Sequence, residues 1–387
     1  MDIYEQALEL HKKYHGKLET KSKVPLDSKE VLSWAYSPGV AEVSRKIAED
    51  TETVYDYTLK HNTIAVISDG SAILGLGNLG AEAAIPVMEG KAIIFKEFAG
   101  VDAFPICLTT QDTEEIIETV KRIAPVFGGI NLEDISAPRC FEIEERLRRE
   151  LDIPVMHDDQ WGAATVALVG LINALKLRGL SKEETRIVLA GIGAAGVATG
   201  RLLLSYGFKN IVFLDSHGII HAGRTDLTKE KKELLAGARS APASAGNFAG
   251  TLTDALVGAH VFIGLSKGGT VTADMVHSMA ERPILFTLAN PTPEIMPDVA
   301  KEAGAFIVAT GRSDFPNQLN NSLVFPGVFK GMLQLRHVQF EQGLFVHIAD
   351  AIADYHTNNT PETILPSMFD KNIVRVVEQA TLKYYGK

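Results

Sequence analysis

At 387 residues, with 46% apolar and 22% charged side chains, the chain has the make-up of a globular enzyme and is long enough for two domains. Its net charge of −10 argues against a general nucleic-acid surface but leaves room for a local pocket that takes small acids. Only Cys107 and Cys140 are present, with no CxxC and no Cys/His zinc spacing. Both are expected to be buried small hydrophobes in a reducing, cytoplasmic setting.

The first segment, MDIYEQALELHKKYHG, mixes acids and bases at helical spacing and has no signal-type apolar run. Residues 1–60 read as short helices around the loop WAYSPGV (34–40). A strand is expected at 63–70, a tight glycine turn at 74–80, a short helical piece after it, then strands at 91–98 and around Phe104–Leu108. A helix opens at Asp112, with Glu115 as its capping partner, and stops before Pro125. A strand GGINLED, a charged helix over 138–150 and a strand IPVMHDD follow. The uncharged stretch Trp161–Leu175 falls short of a membrane span of about 20 apolar residues and reads as a long core helix. Strands at 185–191, 210–215, 260–266, 283–290 and 305–310 suggest a second α/β unit, with helices from Phe329 onward. The fold class is therefore α/β in two domains, 1–156 and 157–387, the second a parallel Rossmann-type sheet.

Two carboxylate pairs close apolar runs: Glu133–Asp134 and Asp158–Asp159. The segment joining them is a β-α-β unit, so neighbouring parallel strands would bring all four acids to the carboxyl edge of one sheet, where open α/β sheets bind ligands. Gathered there they repel one another unless a cation sits among them, and an all-oxygen set suits Mg²⁺ or Mn²⁺. The plain alternative is two solvated strand ends.

Both GLGNLG (75–80) and GIGAAG (191–196) match GxGxxG, and context separates them. Gly191 follows a strand expectation, a full helix follows Gly196, and the next strand ends at Asp215, 19 residues beyond Gly196. In that frame Gly191, Gly193 and Gly196 shape the turn, and the Ala194 and Ala195 amides face the pyrophosphate. Asp215 would accept the ribose 2′-OH and repel a 2′-phosphate, favouring NAD over NADP. Arg224 lies too far along to be assigned to a phosphate. The first glycine run, with only about ten residues before the next expected strand, is too close for a crossover and reads as shape beside the active site.

These segments together resemble the malic enzymes, particularly their short bacterial and archaeal form. AYSPGV (35–40), SDGSAILGLGNLG (68–80), PVMEGKA (86–92), FKEFAGVDAFPICL (95–108), GGINLEDISAPRCFEIE (128–144), HDDQ (157–160), LANPTPE (288–294) and NNSLVFPG (320–327) carry the likeness in family order. The resemblance implies oxidative decarboxylation of L-malate to pyruvate and CO₂ with reduction of NAD(P). It places Glu133, Asp134 and Asp159 at the metal and Asp158 beside them. Lys91 falls on the general base and also touches substrate, and Tyr36 falls on the general acid. Asn290 and Asn321 fall on substrate positions, Asn290 also near the nicotinamide ribose. A homodimer is implied, with Tyr36 or Lys91 completing the partner's site.

The chain departs from the family pattern at Trp161 and Ala163, where His and Thr are usual, at Ile192 in the glycine turn, and at Ala72, where longer members carry an arginine. Trp161 is expected to narrow the pocket or reshape the cofactor edge. Two rival readings are a malolactic-type lyase that retains NAD, against which the chain's length argues, and a non-catalytic nucleotide-binding relative.

Overall fold

The computed structural model describes residues 3–238 and 250–387. Helices α1 (Ile3–Tyr14), α2 (Lys29–Ala35), α3 (Val40–Glu49) and the short α4 (Val54–Tyr57) lead into a four-stranded sheet. That sheet holds β1 (Thr63–Ser68), β2 (Asp102–Cys107), β3 (Gly129–Leu132) and β4 (Val155–His157), in the order β2-β1-β3-β4 and parallel throughout. The crossovers are α5 (Ala81–Ile94), α6 (Thr113–Ile123) and α7 (Arg139–Glu150). Every crossover between parallel strands needs such a segment, and these helices bury both faces of the sheet.

The long helix α8 (Asp158–Arg178) joins this unit to a second sheet. There, β5 (Ile187–Ala190), β6 (Ile211–Asp215) and the short β7 (Gly218–Ile219) are followed by β8 (Val261–Gly264), β9 (Ile284–Thr287) and β10 (Ile307–Thr310). The order is β10-β9-β8-β5-β6-β7, antiparallel only at β7. Helices α9 (Ala194–Tyr206), α10 (Lys229–Gly237), α11 (Leu252–Leu256), α12 (Ala273–His277) and α13 (Pro297–Glu302) connect these strands. The order reverses beside β5, the switch point at which such sheets bind dinucleotides. Helices α14 (Phe325–Leu335), α15 (Gln342–Tyr355) and α16 (Ile373–Tyr384) complete the chain.

Residues 91–98 form no strand. They finish α5 and continue into a wider π-helical turn at Phe95–Ala99. Ala81, Ala84, Met88, Lys91, Ala92 and Phe95 are the buried positions, a spacing of three and four that marks one helix. The glycine run 75–80 therefore does precede a full crossover helix. Helix α8 also begins three residues before the uncharged stretch, so Asp158 and Asp159 occupy its first turn instead of closing a strand. By length and composition α8 could cross a membrane, yet 83% of its apolar window is buried inside the fold. The C-terminal helices begin at Phe325, and α14 returns to the first unit, where Phe95 packs edge-on against Phe325 and Phe329 at 4.8 and 5.5 Å. Truncating a fully buried phenylalanine such as Phe95 costs about 3–5 kcal/mol, so this contact ties the two halves together. Of the cysteines, Cys140 is fully buried and Cys107 only partly.

Candidate active site

Strands β3 and β4 are hydrogen-bonded neighbours with Leu132 opposite His157. The next residues on each, Glu133–Asp134 and Asp158–Asp159, consequently emerge side by side at the carboxyl edge. Asp134 has φ +54°, the left-handed conformation that a short polar side chain tolerates. Two contacts hold it there: its N–H donates to Asp159 Oδ2 at 2.8 Å, and its carbonyl accepts from the Ala72 N–H at 3.0 Å.

Lys91 reaches the same place from α5. Its ammonium lies 2.5 Å from Asp158 Oδ2 and 2.9 Å from Glu133 Oε1, over the Phe325 ring at 4.2 Å. Asn321 donates to Asp158 Oδ2 at 2.5 Å, and Asn131 to Glu133 Oε2 at 2.9 Å. Burial and mutual repulsion raise all four acids, Glu133 and Asp158 to about 7, Asp134 to about 8 and Asp159 to about 6. Burial pulls Lys91 the other way, but the charges of Asp158 and Glu133 outweigh it and hold the amine above its ordinary value. A lysine that serves as a general base needs its value lowered instead, and the acids beside Lys91 oppose that.

Asp134 Oδ2 and Asp158 Oδ1 are buried without a hydrogen-bond partner. Orphaned carboxylate oxygens of this kind are costly, and an oxygen-donor cluster that wants a counter-charge fits a hard divalent cation. Among the described residues, no three such side chains stand in a formed coordination shell. Lys91 bridges Glu133 and Asp158, and Asp159 is turned to the Asp134 amide.

A single cleft of about 900 Å³ joins these groups to the second sheet. Lys91, Glu133, Asp134 and Asp159 line one wall, and Ala195, Leu265, Asn290 and Asn321 line the other. Ala195 sits in the first turn of α9, whose N–H groups lack carbonyl partners and attract anions. The turn is built for close approach. A Cβ on Gly196 would meet the Gly191 carbonyl oxygen at 2.0 Å, one on Gly191 the Leu265 oxygen at 2.3 Å, and one on Gly193 only open space. The glycine run 75–80 serves shape as expected: a Cβ on Gly75 would strike the Asn290 carbonyl oxygen at 2.4 Å.

The expectations for Trp161 and Asp215 need correction, and Tyr36 lies apart from the cleft of its own chain. Trp161 does not line the cleft; it stacks on Phe345 at 5.0 Å and donates Nε1–H to buried Glu144 at 2.9 Å. On a helix, a residue two positions past Asp159 faces nearly the opposite side, so Ala163, four past it, borders the cleft instead. Glu144 also accepts from the His157 N–H and from Gln160, which clamps the start of α8 from behind. Tyr36, 69% exposed at the end of α2, is not among the residues lining the cleft of its own chain. Asp215 is not free: it is engaged by Arg224 and Lys231. The sequence reading also missed Lys17, Ser266, Lys267 and Asn320, which border the cleft. Ser266 and Lys267 could have been found by their place, two and three residues past β8 at the ligand-binding edge.

Comparison with known proteins bears on this geometry. The family model "Malic enzyme, N-terminal domain" matches residues 15–148, and "Malic enzyme, NAD binding domain" matches residues 161–382. The chain is 51% identical to a bifunctional malic/malolactic enzyme of Bacillus subtilis, over 99% of this chain and 93% of that one. It is 52% identical to an NAD-dependent malic enzyme of Geobacillus stearothermophilus, over 95% and 76%. The crystal structure of an NAD-dependent malic enzyme from Thermotoga maritima superposes with a TM-score of 0.92 at 46% identity, covering 97% of this chain and 98% of that one. A cleft that sets an acid cluster against a dinucleotide turn, in a chain matched along nearly its whole length by these proteins, belongs to an oxidoreductase of the malic enzyme family.

Proposed function

We propose that the enzyme oxidises L-malate with NAD in a divalent-metal-dependent reaction and decarboxylates the product to pyruvate and CO₂. The observation that carries this reading is the shared cleft, in which Lys91 and three acids face the start of α9. When bound, the dinucleotide accepts hydride from C2 and the cation withdraws electrons from the C2 oxygen.

Lys91 takes the proton of the C2 hydroxyl as hydride leaves, giving oxaloacetate. Glu133, Asp134 and Asp159 would hold the cation, whose positive charge would offset part of the negative field around the amine and favour its neutral, basic form. Asp158 holds Lys91 in place. Asn290 and Asn321 donate to the substrate's carboxylate and C2 oxygen. The C3–C4 bond then breaks, CO₂ departs, and Tyr36 protonates C3 to yield pyruvate.

Tyr36 acts in this reading from a partner subunit. Helices α1, α2 and α3 bury no residue, and Leu8, Trp34 and Tyr36 are 73%, 65% and 69% exposed. Large apolar side chains left this exposed on successive helices are consistent with an interface, and a homodimer would both cover them and deliver Tyr36. Two unpaired thiols support a reducing, cytoplasmic location.

The test is NADH formation from L-malate, NAD and Mn²⁺, with and without chelator, with pyruvate and lactate assayed. Chelator-sensitive NADH matched by pyruvate is expected. The malolactic reading regains ground from the Bacillus subtilis relative, whose name includes that activity and whose length this chain covers to 93%, so length does not exclude it. Lactate without net NADH would establish that alternative.

A further inference from the structure

Asp215 ends β6 directly beside the dinucleotide turn, since the Gly191 N–H donates to the preceding carbonyl, Leu214 O, at 2.9 Å. A carboxylate in that position selects NAD when its oxygens are open to the ribose hydroxyls. Here they are not open. Oδ1 accepts from Arg224 Nη1 at 2.8 Å and from the His217 N–H at 2.9 Å. Oδ2 accepts from Arg224 Nη2 at 3.0 Å and from Lys231 Nζ at 2.6 Å. Four donors saturate a carboxylate's lone-pair sites. The cluster is sheltered as well, with the side chains of Asp215, Arg224 and Lys231 only 6%, 9% and 18% exposed.

The charges here invert the usual logic of the position. Two cations flank the Asp215 carboxylate, and the second acid on Arg224, Asp226, lies outward at 48% exposure. A free aspartate repels a 2′-phosphate, but one enclosed by a guanidinium and an ammonium presents no uncompensated negative charge to it. The guanidinium fork suits a phosphate bidentately, and a lysine adds a point charge. Ribose hydroxyls, in contrast, must first displace a cation from Asp215 to find an acceptor.

We propose, resting on the dinucleotide reading of the cleft, that Arg224 and Lys231 form a receptor for the 2′-phosphate of NADP. Asp215 holds it closed in the cofactor-free protein, so the enzyme accepts NADP as well as NAD. Asp215 is then the counter-ion of the receptor, and Arg224 and Lys231 are the residues that set cofactor choice.

The experiment is calorimetric binding of adenosine 2′,5′-bisphosphate and 5′-AMP to the full-length protein, without metal or malate. The two probes differ only in the 2′-phosphate. In the unmodified protein the bisphosphate should bind within about tenfold of 5′-AMP, or more tightly. Arg224→Ala and, separately, Lys231→Gln should each weaken the bisphosphate by about tenfold or more and change 5′-AMP by less than about threefold, the scale of one charge-assisted contact. Should Arg224→Ala fail to fold, Lys231→Gln and Asp215→Asn keep the test alive. Asp215→Asn should preserve bisphosphate binding, because only the counter-ion is lost. Bisphosphate binding more than tenfold weaker than 5′-AMP in the unmodified protein would overturn the proposal, as would variants that weaken both probes alike. In both cases 5′-AMP binding by the unmodified protein would leave the dinucleotide site standing. Binding of neither probe would remove the dinucleotide reading and this proposal together.

Discussion

Asp134 and Asp159, 25 residues apart in the chain, are joined by a hydrogen bond of 2.8 Å from the Asp134 N–H to Asp159 Oδ2. That bond crosses from the edge of β3 to the first turn of α8 and fixes the Asp134 backbone in its left-handed conformation. One side chain thus shapes the site and is also a proposed ligand. Asp159→Asn retains an oxygen able to accept that bond but removes the charge. The expected result is a loss of Mn²⁺-dependent turnover by about a hundredfold or more, the scale of a lost electrostatic catalytic group, with an unchanged far-UV CD spectrum. A fully active Asn variant would remove Asp159 from the metal.

The acids make stability depend on pH in a definite sense. Their folded values, about 6 to 8, lie above the unfolded carboxylate values of about 4. The folded protein therefore binds more protons than the unfolded chain between these limits. Its stability is fully present below about pH 4 as far as these groups are concerned, and is lost as pH rises through 6 to 8. A divalent cation replaces the missing protons. Mn²⁺ should raise the Tm more at pH 8 than at pH 6, as thermal scans at both pH values would show; an equal shift would contradict the raised acids.

Lys91→Ala leaves Asp158 and Glu133 buried without their cation. Removing one partner of a buried pair costs about 3–5 kcal/mol, and less at pH 6, where the acids can take up protons. Urea unfolding at pH 6 and pH 8 should resolve that difference. Turnover should fall at least about a thousandfold, and adding Mn²⁺ should restore stability without restoring turnover.

If Tyr36 serves the partner's site, two inactive variants complement each other. In a mixture of Lys91→Ala and Tyr36→Phe chains, half of the randomly assorted dimers are hybrids, and one of the two sites in each holds both native residues. Activity should recover to about a quarter of the unmodified level after the subunits are exchanged. No recovery would place Tyr36 in its own chain's site, and full activity of Tyr36→Phe by itself would place the residue outside the reaction.

Trp161→Phe tests a departure from the family pattern. The ring packing on Phe345 survives, but Glu144 loses the 2.9 Å donor. A lost hydrogen bond to a buried carboxylate costs about 1–3 kcal/mol, visible as a lower urea midpoint. Because Trp161 does not border the cleft, the KM for malate should change by less than about twofold. A large change in KM would show that the clamp at Glu144 reaches the substrate.

The dinucleotide turn, the strands of the second sheet from β5 to β10 apart from the short β7, and the meeting of the two carboxylate pairs were legible in the residues alone, because each depends on local spacing: strand, turn, then helix at fixed intervals. The same holds for Asp112, which caps its helix by accepting from the Glu115 N–H as expected. Lys91 was misplaced on a strand because Gly90 interrupts the pattern, and only the burial of every third or fourth residue from Ala81 to Phe95 shows one helix. Trp161 was expected at the pocket because it is adjacent in sequence, yet helical rotation turns it to the core. The state of Asp215 was beyond reach, since Arg224 and Lys231 stand 9 and 16 residues away and meet it only when the chain folds back. By itself the sequence determined which chemistry the chain could assemble, through short-range patterns in which each residue constrains its neighbours. Which charges neutralise one another, and which face each side chain presents, was decided by the tertiary structure alone, because both depend on contacts between distant segments.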